Sequence, residues 1–243
     1  MKIAVIIPAA GLGTRMGRFS AEKAGTSRKQ FMLLEGAPIL LHTVRKFAAS
    51  ERVGDIVIAV RQEDLAWVRE MLEREIHGKR VQVVEGGNSR QESVEHGLKA
   101  LAPDTEIVAV HDAVRPFIDL ETIHKVFDEA ASTGAAIVGV VPVDTVKQVT
   151  RAPETGAKIR GTIPREKLVL AQTPQVFRYE LLRQAFETAR ADGFISTDEA
   201  SLVERLEEVE VSVVLGTDRN IKITKPGDMD LARLFLQQET ART

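Results

Sequence analysis

The feature that most constrains the fold is the alternation of short apolar runs with amphipathic stretches along the chain. Runs rich in β-branched residues are typical of strands that are covered on both faces, and apolar residues at helical spacing occur between them. Such alternation predicts an α/β fold, with a doubly wound, mostly parallel sheet of Rossmann-like type. The predicted strands are KIAVIIP, DIVIAV, VQVVE, EIVAV and AAIVGVV, followed late in the chain by VEVSVV.

Helix starts are marked by residues that commonly begin helices. Ser89 with Glu92 has the spacing of a capping box, Asp119 is a capping residue, and Pro38 and Pro226 suit a first helical turn. The predicted helices span residues 38–49, 63–75, 179–191 and 197–207, with others starting near 89, 119 and 226.

The alternation stops after Pro142, where the chain becomes polar. The segments VKQVT and AKIRGTI flank a turn-like APETG and predict a β-hairpin without a thick apolar face. Because an isolated hairpin is marginally stable, we expect it to pack on another surface, such as that of a second subunit. The economical description is a single domain over residues 1–243 with a protruding dimerisation β-arm at about 143–168, in a homodimer.

Composition limits the classes of function. The 243 residues contain 33 basic and 35 acidic side chains, a net charge of −2, which gives no support for a nucleic-acid or membrane partner. The chain has no cysteine, which excludes disulfides, thiolate metal sites and a cysteine nucleophile. The apolar run at the N-terminus is too short for a signal peptide or a membrane span. We therefore expect a cytoplasmic protein.

Three polar loops follow predicted strands, and ligand sites of open α/β sheets collect at those strand ends. In AAGLGTRMG the glycines Gly11, Gly13 and Gly17 have the spacing G-x-G-x-x-x-G, with Arg15 inside the loop. A dinucleotide fingerprint would place its third glycine one residue earlier, so this spacing disfavours a nicotinamide oxidoreductase. A triphosphate would explain cations at Arg15 and Lys29, although the glycine pattern alone is more typical of an ordinary turn.

The other two loops contain groups that suit a nucleotide. In GGNSRQES, Gly87 leaves its backbone open, and Asn88 and Ser93 are able to hydrogen-bond a base or ribose, yet the same segment equally reads as a capped helix start. In HDAVRP, Asp112 suits a metal ion or a ribose hydroxyl and Arg115 a second charged group; the alternative is an Asp–Arg surface pair.

Histidines and hydrolase motifs point to no further site. His111 by itself is interpreted as structural, and the five histidines lack H-x-x-x-H spacing, so no zinc site is predicted. The nucleophile motif G-x-S-x-G does not occur in the sequence.

An ordered set of segments resembles the 2-C-methyl-D-erythritol 4-phosphate cytidylyltransferase family over nearly the whole chain. The segments are PAAGLGTRMG, KQF, GGNSRQESVEHGL, VHDAVRP, VPVDTVK, AQTPQVF, STDEASLVE and NIKIT. Two departures stand out, since the link from Gly17 to Arg28 is longer than usual and Arg28 occupies a position where proline is usual.

The resemblance implies a nucleotidyltransferase of isoprenoid precursor biosynthesis that joins CTP to a sugar-alcohol phosphate with Mg²⁺ and releases pyrophosphate. It implies catalytic roles on the phosphates for Arg15, Lys29 and Lys222. It implies nucleotide binding by Ala10, Gly11, Gly13, Gly87, Asn88, Ser93 and Asp112, the last also near the metal. It implies that Arg115, Arg165, Thr173 and Thr197 bind the methylerythritol phosphate, with the arm reaching the neighbouring subunit.

Two alternatives stay open at this point. A ribitol 5-phosphate cytidylyltransferase shares most of these motifs and differs only in its acceptor pocket. A non-catalytic nucleotide-binding module would share the fold, but it would not need Arg15, Lys29, Asp112 and Lys222 together.

Overall fold

A mixed sheet of seven strands forms the centre of the molecule, in a computed structural model that describes residues 1–11, 28–152 and 156–241. The strands are β1 (Ile3–Pro8), β2 (Leu33–Leu34), β3 (Ala37–Pro38), β4 (Val53–Val60), β5 (Arg80–Glu85), β6 (Ile107–Val110), β7 (Ala135–Val140), β8 (Val146–Val149), β9 (Ile159–Ile163), β10 (Leu170–Arg178) and β11 (Ser212–Leu215). The helices are α1 (Ile39–Ala48), α2 (Leu65–Glu75), α3 (Arg90–Lys99), α4 (Leu120–Thr133), α5 (Tyr179–Asp192), α6 (Ala200–Glu204) and α7 (Pro226–Thr240).

The strand order in the sheet is β11-β7-β10-β6-β1-β4-β5. Strand β1 lies between β4 and β6 and is parallel to both, with Val5 beside Ile56 on one side and Ala109 on the other. Apolar clusters cover both faces of the sheet, which explains why its central strands are continuous apolar runs. The predicted doubly wound, mostly parallel architecture is confirmed.

One strand of the seven-stranded sheet was absent from the sequence prediction. Strand β10 runs antiparallel between β6 and β7, with Val176 beside Ala109 of β6 and Ala136 of β7. Its first half contains Gln172 and Thr173 before Pro174, and this polar stretch hides the strand from a search for apolar runs. The register with β7 shifts between Ala171 and Gln175, which accommodates the proline inside the sheet.

The predicted hairpin after Pro142 is confirmed as an antiparallel ladder of β8 and β9, paired from Val146–Ile163 to Val149–Ile159. The centre of its APETG turn, residues 153–155, lies outside the described residues. Most of its residues are exposed, including Ile159, and Val143 at its base is 76% exposed. Several apolar side chains of the arm therefore stay uncovered by the part of the chain that the structure describes.

Helix predictions agree with the structure except at the segment 197–207. The helix there, α6, is restricted to Ala200–Glu204 because side chains hold the preceding residues in a loop. Ser201 N–H donates to Asp198 Oδ1 at 3.2 Å, and the N–H groups of Glu199 and Ala200 donate to Gln175 Oε1 at 3.0 and 2.9 Å. Gln175 thus fixes this loop to β10.

Helix α3 lies unusually close to β1. A Cβ atom at Gly97 would lie 2.6 Å from Ile6 Cγ2, so a larger residue would push the helix away from the sheet. This close approach places the N-terminus of α3 beside the loop that follows β1. Within the described parts of the chain, none of the helices combines the length and the apolar character required to cross a bilayer.

Candidate active site

A cavity of about 240 Å³ opens at the carboxyl ends of β1, β5 and β6. The loops after these strands form most of its wall, and the segment before α7 contributes Lys222. The described residues that line it are Pro8, Ala10, Gly11, Lys29, Gly87, Asn88, Ser89, Arg90, Ser93, Asp112, Ala113, Val114 and Lys222. The loops singled out from the sequence therefore meet at one place, as expected for strand ends of an open sheet.

Asp112 follows β6 and is surrounded by three cations. Lys222 Nζ lies 2.9 Å from Oδ2, Arg115 Nε lies 3.2 Å from the same oxygen, and Arg90 Nε lies 3.3 Å from Oδ1. Burial alone would raise the pKa of Asp112, but Arg90, Lys222 and Arg115 hold it well below the usual range. The carboxylate is therefore ionised at every working pH and neutralises part of a strongly positive wall.

The position of Asp112 is fixed from behind by two buried side chains. Its N–H donates to Thr173 Oγ1 at 3.0 Å, and the Thr173 hydroxyl lies 3.1 Å from His111 Nδ1. Because His111 Nε2 lies 3.0 Å from the Arg115 carbonyl oxygen, this network assigns the proton to Nε2 and leaves Nδ1 to accept. Burial lowers the pKa of His111 to about 4, so the ring is neutral. The structural interpretation of His111 agrees with these contacts.

Arg90 and Glu199 belong to this cluster and were missed in the sequence. Arg90 NH1 donates to Glu199 Oε1 at 2.6 Å, and the same guanidinium reaches Asp112. Burial of the Arg90 guanidinium disfavours its charge, but Glu199 and Asp112 raise its pKa above the ordinary value. Burial raises the pKa of Glu199, whose Oε2 lacks a hydrogen-bond partner among the described residues. The available signal was a basic residue inside GGNSRQES and an acid in STDE.

The loop after β5 forms the capped helix start that was one of its two sequence interpretations. Ser89 caps α3 by accepting from the Glu92 N–H at 3.0 Å, and Glu92 Oε2 accepts from the Asn88 N–H at 2.7 Å. Ser93 Oγ accepts from the Gly87 N–H at 3.1 Å. These bonds stiffen the loop, while Gly87, Asn88 and Ser93 still line the cavity.

Of the predicted catalytic cations, Lys29 and Lys222 line the same cavity, together with the predicted nucleotide residues Ala10 and Gly11. Arg15 and Gly13 lie outside the described residues. The two lysines come from opposite ends of the chain, one before α1 and one before α7. The structure thus places two of the three predicted cations on one hollow.

The predicted acceptor residues are placed less uniformly, and none of the four is among the residues that line the cavity. Arg115 and Thr173 are buried behind Asp112, with Arg115 NH1 donating to the Asn220 carbonyl oxygen at 2.8 Å. Thr197 is exposed in the loop before α6. Arg165 is exposed at the base of the arm, and its NH1 donates to the Val143 carbonyl oxygen.

A divalent cation finds few protein ligands here. Among residues 1–11, 28–152 and 156–241, no group of three or more His, Asp or Glu side chains is arranged to hold a metal ion. Both oxygens of Asp112 already accept from cationic side chains. Because Mg²⁺ is commonly held by one or two carboxylates and substrate phosphates, the donor set fits a cation that arrives with a phosphate ligand.

Comparison with known proteins gives one family. The family model described as 2-C-methyl-D-erythritol 4-phosphate cytidylyltransferase matches residues 3–238. Relatives with that name include a protein of Solibacter usitatus, 73% identical over 100% of this chain and 99% of the relative. Another, from Acidobacterium capsulatum, is 49% identical over the full length of both chains.

Solved structures agree with the sequence relatives. The structure of 4-diphosphocytidyl-2C-methyl-D-erythritol synthase from Anaerococcus prevotii is similar, with a TM-score of 0.83, 29% identity and coverage of 97% of this chain and 96% of the other. The structure of 2-C-methyl-D-erythritol 4-phosphate cytidylyltransferase from Thermus thermophilus has a TM-score of 0.76 and 31% identity, with coverage of 98% of this chain and 100% of the other. With its fold, its cavity and these full-length matches in agreement, the chain belongs to the 2-C-methyl-D-erythritol 4-phosphate cytidylyltransferase family.

Proposed function

We propose that this chain joins CTP and 2-C-methyl-D-erythritol 4-phosphate to give 4-diphosphocytidyl-2-C-methyl-D-erythritol and pyrophosphate, in isoprenoid precursor biosynthesis. A phosphate oxygen of the acceptor attacks the α-phosphorus of CTP, and the bond from that phosphorus to the β-phosphate bridging oxygen breaks. The observation that carries the proposal is the family match over residues 3–238, together with the convergence of five of its eight segments on one cation-lined cavity.

The barrier to this reaction is mainly electrostatic, because a phosphate anion must approach a triphosphate. The acceptor phosphate is ionised at neutral pH and needs no general base. Lys29 and Lys222 therefore act by holding phosphate oxygens and neutralising charge that develops on the α-phosphate and the leaving pyrophosphate. Arg15 shares this role according to the family resemblance.

Nucleotide recognition falls to the loops after β1 and β5. Ala10 and Gly11 leave backbone groups close to the phosphates, and Gly87, Asn88 and Ser93 contact the cytosine and ribose. Asp112 lies beside the ribose. Asp112, the one carboxylate among the described residues that line the cavity, would hold a divalent cation, taken as Mg²⁺, together with the triphosphate, and that cation would supply Lewis-acid charge.

Acceptor binding depends on residues from two places in the fold, and we propose that a second subunit completes it. Arg165 lies at the base of an arm whose apolar side chains, such as Ile159, are exposed in the single chain. Packing of two arms would bury that surface and carry Arg165 toward the neighbouring cavity, beside Thr197. Arg115 and Thr173 contribute by holding Asp112 in place.

Pyrophosphate release tests the proposal directly. The purified chain is incubated with CTP and Mg²⁺ and either 2-C-methyl-D-erythritol 4-phosphate or ribitol 5-phosphate, with ATP replacing CTP as a base control and EDTA as a metal control. Release with CTP, Mg²⁺ and the methylerythritol phosphate is expected. If pyrophosphate is released with ribitol 5-phosphate and not with the methylerythritol phosphate, the chain is a ribitol 5-phosphate cytidylyltransferase. Binding of CTP without release from either acceptor would favour a non-catalytic module.

A further inference from the structure

The turn that carries Lys29 depends on its neighbours for its shape. Residues Lys29–Phe31 form a single 3₁₀ turn, closed by bonds from Phe31 N–H to the Arg28 carbonyl oxygen at 3.0 Å and from Met32 N–H to the Lys29 carbonyl oxygen at 3.2 Å. So short a turn has little stability of its own. The direction in which Lys29 leaves the backbone is therefore set by side-chain contacts on either side.

Before Lys29, the chain is held by Arg28. Both terminal nitrogens of its guanidinium donate to the two carboxylate oxygens of Asp64, which is 2% exposed and precedes α2. Bidentate pairing fixes the orientation of the guanidinium plane as well as its position. Asp64 is itself oriented, since Trp67 Nε1 donates to Oδ1 at 3.3 Å.

After Lys29, the chain is held by Gln30 and Phe31. The Gln30 amide nitrogen donates to the carbonyl oxygens of Ala9 at 2.7 Å and Gly11 at 3.0 Å, which ties the turn to the loop after β1. The Phe31 ring packs against Trp67 with centroids 4.7 Å apart, and the Arg28 guanidinium lies 5.2 Å from its centroid. Arg28 thus joins α2 and the turn into one packed unit.

We propose that the Arg28–Asp64 pair positions Lys29 for the reaction, so that Arg28 is a positioning residue that acts through its neighbour. The inference rests on the proposed function, in which Lys29 neutralises phosphate charge. Arg28 and Asp64 are both absent from the cavity wall, whereas Lys29 lines it. Because the Arg28 guanidinium binds a buried carboxylate outside the cavity wall, its role is to position Lys29 rather than to contact the phosphates.

The test removes the pair without leaving a buried charge alone. The double variant R28M/D64N approximately keeps the side-chain volumes and leaves an oxygen that accepts from Trp67. It removes the Arg28–Asp64 ion pair, which is called the clamp below. The matched control is R52M/D128N, because Arg52 also pairs with an aspartate, at 2.7 Å, and lies 5.7 Å from the Phe127 centroid. Neither Arg52 nor Asp128 is among the residues that line the cavity. Thermal unfolding confirms that each variant is folded before kinetics are compared.

For the R28M/D64N variant, kcat is expected to fall by about tenfold, because displacement of a catalytic group by an ångström costs up to about 100-fold. In a K29A background the same double change should have no further effect on kcat, since Arg28 acts through Lys29. Unchanged kcat in R28M/D64N, or a further tenfold loss on the K29A background, would overturn the proposal. The R52M/D128N control should retain the wild-type kcat.

A second readout does not depend on the reaction. The rate at which an amine-reactive reagent labels Lys29, followed by mass spectrometry, should rise several-fold in R28M/D64N and stay unchanged in R52M/D128N. Labelling of exposed Lys125 serves as the internal reference. If Lys29 labels at the same rate with and without the clamp, the positioning role is wrong. If the wild-type protein releases no pyrophosphate, that result counts against the proposed function. The labelling rates would still show whether the Arg28–Asp64 pair positions Lys29.

Discussion

At the residue scale, Asp112 is the point where the cations of the site are organised. Its carboxylate accepts from Arg90, Arg115 and Lys222, so each cation is held in a defined direction without a ligand. Of the three side chains, Lys222 is the most exposed, at 35%, against 28% for Arg90 and 11% for Arg115. We therefore expect Lys222 to be the cation of this group that an incoming phosphate reaches most easily.

Removing either lysine of the cavity should slow turnover without unfolding the protein. K29A and K222A are each expected to lower kcat by about 100-fold, because donors aimed at developing charge contribute about 10²–10³ in rate. The exposed Lys125, paired with Glu121 on α4, supplies the control K125A, which should keep wild-type kcat. Steady-state kinetics with circular dichroism provide the check, and near-normal turnover in both cavity variants would refute their roles.

The buried His111 should make stability depend on pH in a defined window. Its pKa in the folded protein is about 4, against 6.5 for a free histidine, so the unfolded chain binds a proton more readily. The stability due to the neutral ring is full above pH 6.5 and is lost as pH falls toward 4. Between pH 7 and 5, the contribution of His111 to the free energy of unfolding is expected to fall by about 2 kcal/mol.

Urea unfolding at both pH values measures this effect in wild type and in H111Q, whose amide is able to replace the ring's donor. The loss between pH 7 and 5 should be about 2 kcal/mol smaller in H111Q. The neighbouring charges Asp112, Arg115 and Arg90 are common to both proteins, so they largely cancel in the comparison. Exposed His77 provides the control H77Q. Identical pH dependence in wild type and H111Q would rule out this assignment.

At the element scale, the loops after β1 and β5 are in direct contact at Gly86. A Cβ atom there would lie 2.6 Å from Ala10 Cβ and 3.0 Å from Ser93 Oγ. Backbone approach of this kind requires glycine, and it couples the phosphate side of the cavity to the side proposed for cytosine. The described start of the loop after β1, at Ala10, therefore packs directly on the loop after β5.

The G86A variant should weaken CTP binding by about tenfold, because overpacking of this contact costs about 1–3 kcal/mol and displaces both loops. Calorimetric titration with CTP and Mg²⁺ measures the affinity. G227A is the control, since a Cβ atom at Gly227 would meet nothing within 4 Å among the described residues. Equal affinity of wild type and G86A would show that the two loops do not act together.

Sequence patterns predicted the strands and helices whose buried residues are mostly apolar. They missed elements in which a buried polar residue binds a segment distant in sequence. The continuous apolar runs of β1 and β4 are easily recognised as buried strands. Strand β10 is harder to recognise, because it contains the polar residue Gln175, which is buried and binds the loop before α6. Arg90 was hidden in a helix start because its partner Glu199 lies 109 positions away in sequence. Contacts between distant segments of this kind leave no periodic trace in either segment.

At the scale of the whole molecule, the arm and the cavity lie in separate parts of one chain, and the proposed dimer would join them. Mixing R165A subunits with K29A subunits should then restore activity through hybrid dimers, in which one cavity has both residues intact. An activity assay after confirmed subunit exchange measures the recovery, with unmixed variants as controls. If exchange occurs and activity stays at the level of the separate variants, the site is contained within one chain.

The central place of β10 also has a consequence for biosynthesis of the protein. Strands β6 and β7 are separated in the sheet by a strand that follows both of them in sequence. A nascent chain ending before residue 170 would carry two apolar strands with open edges and no shared neighbour, which favours misassociation. The ribosome must therefore release about three quarters of this chain before the two halves of its sheet can close.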